Sequence, residues 1–309
     1  MRVLLAVSGG IDSMYMLHRA PELFPGALCA VAHCNFGLRG SESDGDEAFV
    51  RQACEAAGLE CFVQRFDTLG YASGHGVSVE MAARELRYAW FNELCAAHGF
   101  DALATAHNAN DNAETLILNL LRGTGTKGMR GISTSKILRP LLETTREEIK
   151  KWMMEKGFEW REDSTNGENE ARRNKIRNLV FPVFADINPS FVKTLGADME
   201  RIRQTDDIAE DYFREAEGRI VKRAPEIPEG ALLQISVTEL LVLKHWRYVL
   251  WRILEDCSFS AETFGKLCAL LERYRTEPSG TVTLSGKSFQ APAFTLRARR
   301  KQLVLLPRQ

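Results

Sequence analysis

Residues Val3-Leu4-Leu5-Ala6-Val7 form a continuous apolar run, and Ser8-Gly9-Gly10-Ile11-Asp12-Ser13 follows it without a gap. A short apolar run bounded by glycines reads as a buried strand. Gly9 and Gly10 allow a tight reversal and bring backbone N–H groups close to a ligand. Residues 11–19 have helical spacing, so the free N–H groups and positive dipole end of that helix face the same point. Strand, glycine turn and helix in that order form the phosphate-holding corner of an open α/β sheet. Ser8 and Ser13 are expected to add hydroxyl donors. Asp12 is the discordant member, because a carboxylate beside phosphates repels them unless a cation lies between. It therefore points to Mg²⁺. The Walker pattern, two glycines with four residues between them followed by lysine and a hydroxyl residue, does not occur.

The alternation continues through the first half of the chain. Apolar runs at 28–33, 60–66, 102–106 and 137–142 alternate with helical periodicity at 43–57, 78–98, 110–121 and 145–156. Strands apolar on both faces belong to a parallel sheet covered by helices on each side. The pattern predicts a doubly wound α/β domain of Rossmann-like type, with its ligand at the C-terminal strand ends. Ser8, His33 and His107 all fall at such ends. The second half changes character. Residues 198–220 read as a charged helix, and 238–254 and 261–275 carry apolar residues at helical spacing. Strand-like runs follow at 281–284, 294–296 and 303–306. These predict a mostly helical C-terminal domain closed by a hairpin or small sheet. The border is expected near Asn188-Pro189, giving domains over 1–190 and 191–309.

A length of 309 residues fits about two domains. With 45% hydrophobic and 26% charged residues, the composition is that of a globular protein. No apolar stretch approaches a membrane span. The N-terminus runs straight into a strand, without the pattern of a signal peptide. Cys29, Cys34, Cys54, Cys61, Cys95, Cys257 and Cys268 never stand at C-x-x-C spacing. They read as reduced core thiols of a cytoplasmic protein with no membrane partner. A net charge of −1 excludes a uniformly basic surface, but the charge is uneven. Residues 278–309 lack Asp and Glu yet hold Lys287, Arg297, Arg299, Arg300, Lys301 and Arg308. Arg172, Arg173, Lys175 and Arg177 form a second basic cluster, and residues 42–47 are acidic. Such asymmetry fits a nucleic-acid partner held at particular places; a solvated basic tail is the plain alternative.

Four further strings stand out. They are His33-Cys34-Asn35-Phe36-Gly37-Leu38-Arg39-Gly40 and Glu80-Met81-Ala82-Ala83-Arg84-Glu85-Leu86-Arg87-Tyr88. The third is Thr105-Ala106-His107-Asn108-Ala109-Asn110-Asp111-Asn112-Ala113-Glu114-Thr115, running on to Leu121-Arg122-Gly123. The fourth is Glu162-Asp163-Ser164-Thr165-Asn166, then Arg172-Arg173-Asn174-Lys175-Ile176-Arg177. The 8–13 string resembles the pyrophosphate loop of the N-type ATP pyrophosphatases, which split ATP between its α and β phosphates and adenylate a substrate oxygen. With the other four, in the same order over residues 3–191, it resembles the tRNA(Ile)-lysidine synthetase family. The resemblance implies a ligase that uses ATP and Mg²⁺. ATP activates the wobble cytidine in the CAU anticodon of a minor isoleucine tRNA, and the ε-amine of L-lysine then replaces AMP. The resemblance also suggests a homodimer.

Asp111 and Glu114, three apart at a helix start, share one face and can grip an ammonium group, one of them taking its proton. Carboxylates at that position also serve simply to satisfy a helix dipole. The resemblance assigns lysine to this pair. Arg84 and Arg87 can stabilise charge on an α-phosphate or on the activated base, or pair on the surface with Glu80 and Glu85. Arg122 is a phosphate contact by resemblance and a dipole partner by position. The resemblance puts ATP on Ser8, Gly9, Gly10, Ile11, Asp12 and Ser13, adenosine near His33 and His107, and Mg²⁺ on Asp12. It puts RNA by Arg39, and puts Arg173, Asn174 and Arg177 by the active site and RNA, these three having a bland helix face as their alternative. Arg299, Arg300 and Lys301 are expected to grip RNA backbone. Neither histidine has a His or Cys partner at metal-ligand spacing.

Three departures from the family pattern stand out. Phe36 replaces a histidine common before Gly-Leu-Arg. Asn110 replaces the first of two adjacent aspartates, and longer members carry a second C-terminal domain. The rival readings are a tRNA thiolase or amide-forming synthetase with the same loop, and a non-catalytic nucleotide- or RNA-binding module.

Overall fold

The computed structural model describes residues 1–133, 137–162, 172–277 and 280–308. The Asp163-Ser164-Thr165-Asn166 part of the fourth string lies outside them. The chain divides into two compact units, Met1–Arg203 and Gln204–Gln309.

In the first unit four parallel strands, β1 (Arg2–Ala6), β2 (Leu28–Asn35), β3 (Glu60–Arg65) and β4 (Ala102–Thr105), lie in the order β3-β2-β1-β4. Arg2 stands opposite Leu28 and Val3 opposite Ala102, so both neighbours of β1 run beside it in register. The chain order reverses at β1, and a crevice opens there at the C-terminal strand ends. The helices are α1 (Ile11–His18), α2 (Ala20–Leu23), α3 (Ser41–Ala57), α4 (Thr68–His75), α5 (Val79–His98), α6 (Ala109–Arg122), α7 (Thr126–Met129) and α8 (Arg146–Lys156). Successive strand residues face opposite sides. Val3, Leu5 and Val31 pack with Met14 of α1, Val50 of α3 and Met153 of α8. Leu4, Ala30 and Ala32 pack on the other side with Phe91 and Leu94 of α5. This is the doubly wound sheet that the apolar runs predict.

Two local expectations change. The run at 137–142 is not a strand: it contributes one bridge, Leu138 beside Ala104. Leu138 donates to Leu103 O at 2.8 Å and accepts from Thr105 N at 2.9 Å. Pro140 then has no N–H to extend a ladder. The short helix α4, unanticipated, starts on Asp67, whose side chain accepts from Gly70 N.

Beyond α8 come α9 (Arg172–Lys175), a single π-helical turn at Ile176–Val180, α10 (Phe181–Ile187) and α11 (Phe191–Ile220). The helix expected at 198–220 thus begins earlier, and the border at Arg203/Gln204 falls within it.

The second unit carries an antiparallel sheet of β5 (Val221–Lys222), β6 (Leu233–Ser236), β7 (Ser288–Gln290), β8 (Phe294–Arg299) and β9 (Gln302–Pro307), in the order β5-β6-β9-β8-β7. Its helices are α12 (Val237–Val242), α13 (Trp246–Leu254) and α14 (Ala261–Thr276). The single helix expected at 238–254 is broken at Leu243, whose backbone is extended. Residues 281–284 are not a strand, and the edge strand starts at Ser288. Among the described residues no helix is long and apolar enough to cross a membrane.

Candidate active site

The loop after β1 is shaped by one buried hydroxyl. Gly9 has φ 96°, a conformation that side chains resist. Ser13, 5% exposed, donates to Gly10 O at 2.8 Å and accepts from the N–H groups of Ser8 and Gly9, each at 3.2 Å. Its only hydroxyl proton is thus committed to the loop. Ser13 also lines the cleft beside the loop. Gly10 starts α1 and no side chain caps that helix. The N–H groups of its first turn, at Ile11 and Asp12, are left for an anion.

A cleft of about 340 Å³ opens at the ends of β1, β2 and β4. Ser8, Gly10 and Asp12 form its loop side, Arg87 projects from α5, and His107 and Asp111 close it beside β4. Cys34 also lines it, and burial pushes its thiol up to about 12, so it stays protonated. His107 Nδ1 lies 2.9 Å from Thr105 Oγ1, and burial pushes its pKa down. His33 is buried, and its Nδ1–H donates to Val7 O at 2.9 Å. Burial lowers its pKa too, leaving a neutral ring that ties β2 to the loop. His33 lines a smaller hollow of about 290 Å³ with Ser8, Arg39 and Asp46 instead of the main cleft.

Three carboxylates meet where α1 faces α6. Asp12 Oδ1 accepts from Asn108 Nδ2 at 2.9 Å. Burial first, and the neighbouring Asp111 charge, hold its pKa above the usual aspartate value against that hydrogen bond. Asn108 also caps α6. Its Oδ1 accepts from Asp111 N at 3.0 Å, and Asp111 Oδ2 accepts from Asn108 N at 3.1 Å. One oxygen of Asp111 thus serves the start of the helix, as a cap. The other, Oδ1, lies 3.4 Å from Arg177 Nη2. Glu114 is 0% exposed. Its Oε1 accepts from Arg177 Nε at 2.7 Å, while its buried Oε2 has no hydrogen-bond partner among the described residues. Burial holds its pKa above the usual value.

Arg177, expected by the active site and RNA, is held on the carboxylate pair by the π turn. Such turns recur at functional sites. Burial works against its charge, but the Glu114 hydrogen bond and charge outweigh that and raise its pKa.

The remaining candidates separate. Arg87 lies over the Phe36 ring, 5.1 Å from its centroid. Arg84 is exposed, lies over Tyr88 at 5.0 Å and does not line the cleft. Arg122 stands exposed in the last turn of α6, also outside the cleft lining. Arg173 is exposed, with Nη2 3.5 Å from Thr115 Oγ1, and Asn174 is half-buried in α9. In the second unit, Arg299, Arg300 and Lys301 form the exposed tip of the β8–β9 hairpin, with Arg300 at φ 53°.

Two ties had no signal in the sequence. Arg39 Nη2 and Arg161 Nε both bond Asp46, at 2.8 and 2.9 Å, and Arg161 N donates to Gly9 O at 2.9 Å. The departure residue Asn110 accepts from Arg146 N at 3.0 Å and so fastens the start of α8 to α6. Across the loop from the cleft is a second cavity of about 700 Å³, lined by Asp12, Arg146, Lys150, Trp160, Arg161 and Arg177 among others. Among the described residues no three of His, Cys, Asp and Glu group as a metal site.

Comparison with known proteins agrees with this geometry. The PP-loop domain family matches residues 1–184. The tRNA(Ile)-lysidine synthase of Chlorobaculum tepidum is 39% identical over 287 residues, 90% of this chain and 86% of that one. Its counterpart in Parabacteroides distasonis is 39% identical over 264 residues, 84% of this chain and 60% of that one. In Bacteroides thetaiotaomicron the counterpart is 41% identical over 246 residues, 77% of this chain and 55% of that one. The match therefore spans less than two thirds of the last two proteins. Among solved structures, the U34-tRNA thiolase NcsA of Methanococcus maripaludis shares the fold, with a TM-score of 0.55 and 19% identity over 65% of this chain and 72% of that one. The phosphate loop, the cleft it borders and the extent of these matches lead to one assignment: the chain belongs to the tRNA(Ile)-lysidine synthase family and carries its PP-loop domain.

Proposed function

We propose that this chain joins L-lysine to the wobble cytidine of the CAU anticodon in an isoleucine tRNA, using ATP and releasing AMP and pyrophosphate. The observation that carries the reading is Glu114. A fully buried carboxylate with one oxygen unpartnered is costly until a donor reaches it. A primary ammonium brings three donors. Asp111 stands beside Glu114 and lines the cleft bordered by the phosphate loop.

ATP lies along Ser8–Gly10 and the start of α1, with adenosine in the cleft beside His107. Mg²⁺ fits Asp12, whose carboxyl is held high by burial and by Asp111 and gains from a cation. When bound, the ion neutralises charge on the phosphates. Cytosine carries one oxygen, the exocyclic oxygen on C2. That oxygen attacks the α-phosphorus, a P–O bond forms, and the bond to the β-phosphate breaks as pyrophosphate leaves. Arg87 offsets the developing charge. Lysine then gives an ammonium proton to the carboxylate pair. Glu114 suits this step, because burial raises its proton affinity. The freed amine attacks C2, and the C2–O bond breaks as AMP departs with the oxygen.

Anticodon bases are single-stranded and can be splayed into such a pocket. Arg39, Arg173, Asn174 and Arg177 face the RNA, and the Arg299–Lys301 tip holds its backbone. The substrates assign the reaction to the cytoplasm, and we take the working form to be a homodimer.

Incubation with ATP, Mg²⁺, labelled lysine and CAU-anticodon tRNA tests the reading. Label is expected in the RNA with release of pyrophosphate. Folded protein that leaves the RNA unlabelled overturns it.

A further inference from the structure

We propose that Phe36 is a positioning residue for Arg87, fixing this guanidinium so that it meets the phosphates of the bound nucleotide; this rests on the ATP reading above. Arg84 and Arg87 lie one turn apart on α5, and the structure separates them. Arg84 is exposed. Arg87 is half-buried and lines both the main cleft and the smaller hollow, as do Ser8, Cys34 and Phe36. It therefore stands on the partition between the two spaces, beside the first residue of the phosphate loop.

Among the described residues Arg87 makes no hydrogen bond or ion pair. Its contact is the Phe36 ring, 5.1 Å from guanidinium carbon to centroid. That ring is itself fixed. It stacks on Phe66 at 5.6 Å and 22°, and Phe66 meets the Trp90 ring edge-on at 6.0 Å and 77°. Trp90 lies one turn after Arg87 on α5, so the contacts that run from Arg87 through the Phe36 and Phe66 rings return to the helix that carries the arginine. The Phe36 backbone is held as well. Its carbonyl accepts from Thr68 Oγ1 at 2.9 Å, and the next residue, Gly37, donates to Asn35 Oδ1 at 3.0 Å.

A carboxylate holding Arg87 would use its donors and cancel its charge. An aromatic face attracts the cation while leaving all five N–H donors available. A half-buried guanidinium held this way, at the edge of a phosphate loop, is prepared for an anion.

The test measures binding of ATP with Mg²⁺, and separately of adenosine, by calorimetry on the full chain. Phe36→Leu keeps apolar volume but removes the ring. It should weaken ATP by about three- to tenfold, the range of a partly desolvated cation–π contact, and leave adenosine unchanged. Phe36→Tyr should restore ATP affinity. Arg87→Ala should weaken ATP further, and adding Phe36→Leu to it should cost nothing more. Equal loss of ATP and adenosine in Phe36→Leu would mean that the ring supports the base or merely the fold, and would overturn the proposal. Additive losses in the double variant, or unchanged ATP affinity in Phe36→Leu, would also overturn it. Wild-type protein that binds neither compound would overturn the ATP reading and this inference together.

Discussion

Asp111 divides its two oxygens between the fold and the site. Oδ2 closes the cap of α6, and Oδ1 faces Arg177. Glu114, by contrast, has no role in capping, so its charge can be tested with less damage to the helix. Glu114→Gln should raise the KM for lysine by roughly ten- to a hundredfold, the scale of a charged hydrogen bond, while ATP binding persists. Unchanged lysine KM in steady-state transfer would refute the role. Asp12 allows a test through protons. Its folded pKa lies above the ordinary value, chiefly because of burial, and a bound cation favours the ionised form. Mg–ATP should therefore displace protons at a pH just above the ordinary aspartate range. Calorimetry in buffers of different ionisation enthalpy reads this, and Asp12→Asn should abolish it. Asp12, Asp111 and Glu114 were legible because each sits in a contiguous string beside a strand end. The pairing of Arg177 with Glu114 was not, since it spans 63 residues, nor that of Arg161 with Asp46, which spans 115. Local spacing carries no information about such pairs.

At the scale of elements, three strand ends deliver the loop, His33 and His107, and one cap couples α6 to α1. Asn108, 1% exposed, serves the cap through its carbonyl oxygen and Asp12 through its amide nitrogen. Asn108→Ala should cost about 1–2 kcal/mol, as for lost caps, and weaken Mg–ATP as well. Asn108→Asp can restore the cap acceptor but sets a like charge against Asp12. Stability in urea should recover in part while nucleotide affinity does not; joint recovery of both would show that Asn108 acts through the helix alone. Most strands and helices of the first unit were legible because runs buried on both faces leave an unbroken apolar signature. The run at 137–142 misled because one bridge needs the same apolar residues as a strand. The break at Leu243 was hidden because Leu240 before it and Val249 and Leu250 after it enter one core, so helical periodicity carries across the gap.

Across the whole molecule, the two units have separate cores. Trp246, Leu250, Leu271, Ile235, Leu296 and Leu305 pack within the second unit, while the sheet core of the first is built from residues before Arg203. Damage to one core should therefore stay local. Leu250→Ala, at a fully buried position, should cost about 2–5 kcal/mol. Hydrogen exchange should quicken in the second unit while ATP affinity holds. A matching loss of ATP affinity would mean that the units fold as one. The same separation lets the basic hairpin be tested without touching the cleft. Arg299, Arg300 and Lys301 are exposed at its tip, so removing them leaves no cavity. If they neutralise RNA phosphates, replacing all three by alanine should flatten the plot of log affinity against log salt by about two to three, near one per lost contact. ATP affinity should not change. A solvated tail predicts an unaltered slope, so RNA binding measured at several salt concentrations decides whether this unit holds RNA by charge.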